Sequence, residues 1–188
     1  KYLDIALQHI DDTVLDNMRR HITAEETRRL LERIRREMPG IHIRTTMMVG
    51  FPGEDDAAFE RLVDFVKEQR FERLGAFAYC EEDDTYAARN YDDSIPDEVK
   101  QARLERLMSV QEEIATEVAA SEVGKTLRVI IDEYDDNMGR WIGRTEFDSP
   151  EVDCNVFVES DRELAPGDIR NVTITDSEGF DLYGTVRL

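Results

Sequence analysis

The chain changes its grammar once, at Gly124, and that break constrains the fold more than any other feature. Before it, apolar runs of strand length alternate with segments of helical spacing. Tyr2–Leu7 reads as a buried strand, and Asp11 and Asp12 offer caps to a short helix running through Met18 and Arg20. Thr23-Ala-Glu-Glu26 matches a capping box, with Leu30, Leu31, Ile34 and Met38 at helical spacing behind it and Pro39-Gly40 as the stop. Ile41–Val49 is a second strand, 55–70 a helix with Phe59, Leu62, Val63 and Val66 on one face, and Leu74–Tyr79 a third strand. Residues 81–96 read as an acidic loop, and a long helix follows from Pro96 or Asp97 to about Ser121, striped by Leu104, Leu107, Met108, Gln111, Ile114 and Val118. The order β-α-α-β-α-β is that of an α/β protein with parallel strands joined by helical crossovers.

After Gly124 only short strand-like runs occur, at 125–132, 140–146, 152–159, 169–176 and 182–188. Turn residues separate them: Asp135-Asp-Asn-Met-Gly139, Asp148-Ser-Pro150 and Ala165-Pro-Gly-Asp168. Five such strands in one short segment suggest a small barrel of the oligonucleotide/oligosaccharide-binding (OB) kind. The boundary falls at 122/123, giving domains 1–122 and 123–188.

Composition excludes several classes. No apolar run approaches the roughly 20 residues of a membrane-spanning helix, so no membrane partner is expected. Two cysteines, Cys80 and Cys154, exclude a disulfide scaffold and a closed cysteine metal site, and with only His9, His21 and His42 beside them no metal site is expected. The formal net charge is −19. The halves carry −11 over 1–123 (17 basic, 28 acidic) and −8 over 124–188 (7 basic, 15 acidic). Such a surface repels a phosphate backbone and favours a basic protein partner. The chain opens inside a candidate strand, so further sequence is expected ahead of Lys1.

Ligands of parallel α/β sheets lie beyond the carboxyl ends of the strands. That rule selects Gln8-His9, the turn Gly50-Phe-Pro-Gly-Glu54 and the segment Tyr79-Cys-Glu-Glu-Asp-Asp-Thr85. Gln8 and His9 offer hydrogen bonds to a small ligand, or else cap and brace the loop. The glycine turn admits a ligand to the backbone or is a plain strand-to-helix turn; it lacks the Gly-Lys-Ser/Thr ending of a phosphate-binding loop. Arg20 suits a carboxylate, or is one of a solvated pair with Arg19. Glu81 and Glu82 open an acidic run that fits a basic segment or is simply solvated. Cys80 has no histidine placed near it, Cys154 reads as packing, and Trp141 as core.

Taken in order, Tyr-Leu-Asp-Ile-Ala-Leu-Gln-His (2–9), Met-Arg-Arg (18–20), Ile-Arg-Thr-Thr-Met-Met-Val-Gly-Phe-Pro-Gly-Glu (43–54) and Phe-Ala-Tyr-Cys-Glu-Glu-Asp-Asp-Thr (77–85) resemble the radical S-adenosylmethionine methylthiotransferases, with residues 124–188 resembling their TRAM domain. Gln8-His9 and Arg44-Thr-Thr46 lean towards the branch that modifies a ribosomal protein and away from the tRNA-modifying branch. The resemblance implies the C-terminal half of an open (β/α)6 barrel followed by a five-stranded OB-like TRAM domain, in a cytoplasmic enzyme. It implies S-adenosylmethionine as cofactor, with Gln8 at its ribose or amino-acid portion, Arg20 at its carboxylate, Val49, Gly50 and Phe51 near the adenine, and Phe77 and Tyr79 on the same face. His9, Glu81 and Glu82 are the candidates for substrate contact. It further implies two [4Fe-4S] clusters whose ligands are not in this chain, so that the segment alone is inactive. The substrate implied is the β-carbon of an aspartate in a basic small-subunit ribosomal protein, held by the acidic TRAM domain. Two other readings stand beside it: a tRNA methylthiotransferase, and an acidic binding module without chemistry. Ala6, His21, Cys80 and Asp84 stand where the family usually has Pro, Gly, Ser and Gly. The last puts the shape of the 80–85 loop in question.

Overall fold

A computed structural model describes residues 1–186. The chain divides into two compact units, one of Leu3–Gln111 and one joining Lys1–Tyr2 to Glu112 and the residues after it.

In the first unit, β1 (Tyr2–Gln8), β2 (His42–Val49) and β3 (Arg73–Ala78) form a sheet in the order β1-β2-β3, with β2 and β3 parallel. The helices are α1 (Asp12–Asn17), α2 (Ala24–Glu37), α3 (Asp56–Gln69), α4 (Tyr86–Asn90) and α5 (Asp97–Glu122), which runs on into the second unit. Alternation along β2 decides its two faces. Ile43, Thr45, Met47 and Val49 are buried, while His42, Arg44, Thr46 and Met48 are partly exposed. Leu15, Leu31, Leu62, Phe65, Phe71 and Leu107 complete the core, each withdrawn from water and each contributing about 1.5–3 kcal/mol. The capping box at Thr23 is present in full, the Thr23 hydroxyl accepting from Glu26 N–H and the Glu26 carboxylate accepting from Thr23 N–H.

Three expectations need correction here. Tyr2–Leu7 is not a buried strand: β1 ends the sheet order, and within it only Leu7 is buried. The acidic loop contains a helix, α4, which Thr85 caps by accepting from Ala88 N–H. Five residues are too few to show a helical period in the sequence.

In the second unit, β4 (Thr126–Asp135), β5 (Arg140–Thr145), β6 (Val156–Ser160), β7 (Ile169–Glu178) and β8 (Asp181–Val186) close a barrel in the order β4-β5-β6-β8-β7. All pairings are antiparallel except β6 with β8. Val129, Ile131, Val156, Val158, Val172, Ile174 and Leu182 fill it, and Trp141 packs against them, partly buried. Closure demands a residue without a side chain at Gly143, where a Cβ would stand 2.3 Å from the Ile130 carbonyl oxygen. The third correction is in this unit. The strand expected from 152 begins at Val156, so Cys154 is buried as expected but precedes the strand. For the strand expected at 182–188, residues 187 and 188 lie outside the described residues. The α/β unit followed by a five-stranded barrel is the fold class expected.

Candidate functional site

At the carboxyl end of the first unit's sheet lies a cavity of about 420 Å3. Gln8, Met48 and Phe51 line it from the strand ends, Asn17 to Arg20 from the end of α1, and Thr85 to Ala87 from the start of α4. Of the six residues expected at the cofactor, Gln8, Arg20 and Phe51 line this cavity, and Val49, Gly50 and Tyr79 are not among the lining residues. Val49 is fully buried. Tyr79 packs edge-on against Phe51 at 4.9 Å between ring centroids, so it supports the wall from within. Burial pushes its phenol up, with Glu81 and Asp93 adding to the shift.

Local backbone geometry presents the two polar side chains. His9 N–H donates to the Leu7 carbonyl at 2.9 Å, a three-residue turn with Gln8 at φ 71. That conformation is uncommon and strained for any residue but glycine. Helix α1 ends in a Schellman motif: Arg20 N–H donates to the Leu15 carbonyl, Arg19 N–H to the Asp16 carbonyl, and Arg19 takes φ 58. Arg20 is thereby carried to the cavity rim. Among the described residues neither the Gln8 amide nor the Arg20 guanidinium has a hydrogen-bond or ion-pair partner, so both are available to a ligand.

The turn 50–54 is braced from beneath. Glu54 is buried, and its Oε1 accepts from Gly50 N–H at 2.9 Å and from Arg103 Nη1 at 2.7 Å. His9 is fully buried too. Its Nδ1 accepts from Asp11 N–H at 3.0 Å, so the proton sits on Nε2, which donates to Glu54 Oε2 at 2.9 Å. His9 is thus the loop brace of the alternative reading, with both nitrogens engaged and no surface for a substrate to touch. Asp11 in turn caps α1, its Oδ1 accepting from Thr13 and Val14 N–H while Oδ2 accepts from Arg61. Burial works against the charge of its carboxyl, but Arg61 and the Val14 amide hold it below the usual carboxylate range.

Sequence reasoning missed the two cations of α5 that lie on this turn. The stem of Lys100 covers Gly50, and its Nζ donates to Asp93 Oδ2 at 2.6 Å. Burial opposes its charge, yet Asp93 and Asp97 hold the amine above its ordinary range. Arg103 ties Glu54 to Asp56, at 2.7 Å each. The signal was present: Lys100, Arg103, Leu107, Gln111 and Ile114 follow one helical stripe, so cations on it had to be buried and paired. Also missed were Met18, Arg19 and Met48, which lie in the segments that resemble the family but carry no expected role, and Asn17 and Tyr86, which lie outside those segments. Glu81 and Glu82 are exposed. Asp84 stands at φ 64, a left-handed conformation that favours glycine, so the side chain is carried on strained backbone. Among the described residues no three His, Cys, Asp or Glu side chains converge as a metal site, and no helix is long and apolar enough to cross a membrane.

The sequence matches the Radical SAM superfamily over residues 1–66 and the TRAM domain over 123–186. It is similar to the ribosomal protein uS12 methylthiotransferase RimO of Parabacteroides distasonis, 56% identical over 186 residues, which are 99% of this chain and 43% of that protein. The RimO of Bacteroides fragilis is 54% identical over 187 residues, with the same coverage. That of Desulfitobacterium hafniense is 46% identical over 186 residues, 99% of this chain and 41% of that protein. Over its length the chain is thus similar to the radical SAM methylthiotransferases named RimO. It spans less than half the length of these relatives, 43% for the first two. The family expected from the strand-end motifs is borne out, on the branch named for a ribosomal protein.

Proposed function

We propose that residues 1–122 supply part of the S-adenosylmethionine site of a cytoplasmic methylthiotransferase acting on ribosomal protein uS12, and that the barrel, residues 123–188, holds that basic substrate. One observation carries the cofactor reading: the unengaged Gln8 amide and Arg20 guanidinium share a cavity with the Phe51 ring. The donor set fits the group. A guanidinium forks onto a carboxylate, an amide serves ribose or amino-acid groups, and Phe51 with Met48 offers apolar surface to a base. Val49, Gly50 and Tyr79 hold Phe51 in place, through the turn and the ring contact. The bound cofactor supplies the one-electron chemistry that the reaction needs. The cysteines do not fit an iron–sulfur ligand set. Cys80 is exposed, Cys154 is buried in the barrel unit, and among the described residues no three metal-ligating side chains converge, which supports cluster ligands outside this segment.

The substrate reading rests on charge. The barrel segment carries −8, and a groove on it is lined by Asp176, Glu178 and Glu159, the last paired with Arg140 at 2.8 Å. An acidic surface speeds encounter with a basic polypeptide and weakens contact with phosphates. Glu81 and Glu82 add exposed carboxylates to the first unit.

The test uses the full-length protein. S-adenosylhomocysteine is titrated calorimetrically into the wild type, Arg20→Ala and Gln8→Ala. Loss of a charge-assisted contact at Arg20 weakens binding about 10- to 100-fold, and Gln8→Ala less. Equal affinity in all three overturns the cofactor reading. A methylthio mass gain on uS12 checks the reaction, and tighter binding of tRNA than of uS12 in matched salt overturns the substrate reading.

A further inference from the structure

The cavity has two side walls that are distant in sequence, and a contact between a cation and a ring is among those that tie them. Residues 17–20 belong to the end of α1, and residues 85–87 to the start of α4. The Arg19 guanidinium lies 4.4 Å from the centroid of the Tyr86 ring. This is a close stacking contact between a cation and an aromatic face.

Each partner sits where another residue would serve the fold better or as well. Arg19 occupies the left-handed position of a Schellman motif, at φ 58, where glycine is the ordinary choice. Tyr86 is the first residue of a five-residue helix and is 45% exposed, so it is not there to fill the core. The 81–91 segment is folded largely by its own bonds. Thr85 N–H and Oγ1 both reach the Glu82 carbonyl, Thr85 caps α4, and Arg89 pairs with Asp84. Ala87 and Tyr91 pack against the cluster of Val14, Phe51 and Tyr79, and the Tyr86 ring meets Tyr91 edge-on at 6.1 Å. Across the cavity, Tyr86 reaches the α1 wall through Arg19.

We infer that Arg19 and Tyr86 are positioning residues for the ligand of this cavity. Their stack fixes the separation of the two walls and, through the turn, the place from which Arg20 reaches in. The neighbouring arginines thus divide the work. Arg19 is spent on the wall, and Arg20, without a partner among the described residues, is left for the ligand. The inference rests on the cofactor reading above and adds to it two residues and a wall, α4.

The decisive variant is Arg19→Gly. Glycine relieves the left-handed backbone while deleting the guanidinium, so a residue with only a structural role would leave the protein as stable or more so and binding unchanged. The structure instead predicts unchanged or raised thermal stability together with about 10-fold weaker binding of S-adenosylhomocysteine to the full-length protein, a loss of the order that a stacked cation contributes. Tyr86→Ala weakens binding to a similar degree, Tyr86→Phe and Arg19→Lys restore most of it, and the Arg19→Gly/Tyr86→Ala double variant is no worse than either alone. Wild-type affinity in Arg19→Gly or in Tyr86→Ala overturns the inference, while the Arg20→Ala loss leaves the cofactor reading standing. A folded wild type that binds no S-adenosylhomocysteine overturns both.

Discussion

Glu54 and Arg103 meet at 2.7 Å with both side chains almost wholly withdrawn from solvent, so that a carboxylate from a turn and a guanidinium from a distant helix neutralise each other inside the first unit. A charge in that position is tolerable only with its partner and with its remaining lone pairs met. Gly50 N–H and His9 Nε2–H meet them.

Glu54→Ala therefore removes three donors' acceptor at once and leaves Arg103 with only the exposed Asp56 carboxylate and the backbone carbonyl of residue 54. The expected loss is about 3–5 kcal/mol in urea unfolding, the cost of orphaning a buried charge. Glu54→Gln keeps the shape and two acceptor positions and loses less. A loss below about 1 kcal/mol for the alanine variant would show that the pair is not buried in solution.

Asp11 gives the stability of the first unit a defined dependence on acid. Its carboxyl titrates below the usual range when folded, chiefly because Arg61 and the Val14 amide outweigh burial. A depressed folded pKa adds stability above the unfolded pKa and loses it as pH falls through the folded one. Asp11→Asn retains a capping acceptor but not the charge. The gap in unfolding free energy between wild type and Asp11→Asn is expected to be constant above about pH 5 and to close below about pH 4. A gap that widens on acidification contradicts the assignment.

The 80–85 loop offers a test of backbone strain. Asp84 holds φ 64 with its carboxylate on Arg89, a pair exposed on both sides. Such a pair contributes little, and glycine takes this backbone without strain. Asp84→Gly is expected to be neutral or stabilising by up to about 1 kcal/mol, and Asp84→Val to cost about 1–2 kcal/mol. Thermal melts of the three proteins settle the order.

What the sequence made legible follows physical range. Capping at Thr23, the strand within 41–49 and, apart from the late start at Val156, the strand runs of the barrel depend on near neighbours, and each is found. The strand-end rule selected Gln8 and Phe51, which line one cavity. What escaped needs partners far along the chain. His9 looks like a surface ligand until Glu54 and the Asp11 amide claim its two nitrogens. Lys100 and Arg103 share the buried stripe of α5, but which carboxylates they meet depends on the turn at 50–54, far along the chain, and on Asp93. Tyr86 lies in a helix too short to carry a period, and nothing local marks Arg19 as its partner.

Gly50 joins both kinds of constraint in one position. Its φ of 74 favours glycine, and a Cβ there would stand 2.3 Å from Lys100 Cγ. Lys100 is buried and bonded to Asp93 at 2.6 Å, so moving its stem breaks that contact. Gly50→Ala is expected to cost about 1–2 kcal/mol for the backbone, with the clash adding to it. In a Lys100→Ala background the clash is gone and only the backbone share remains, because the loss of the Asp93 pair is common to both proteins of that comparison. A double-mutant cycle by urea unfolding therefore predicts a coupling of about 1 kcal/mol or more, with Gly50→Ala less harmful when Lys100 is absent. Strictly additive costs would mean that the lysine stem does not lie over the glycine, and that the turn beneath Phe51 is held by its backbone and Glu54 alone.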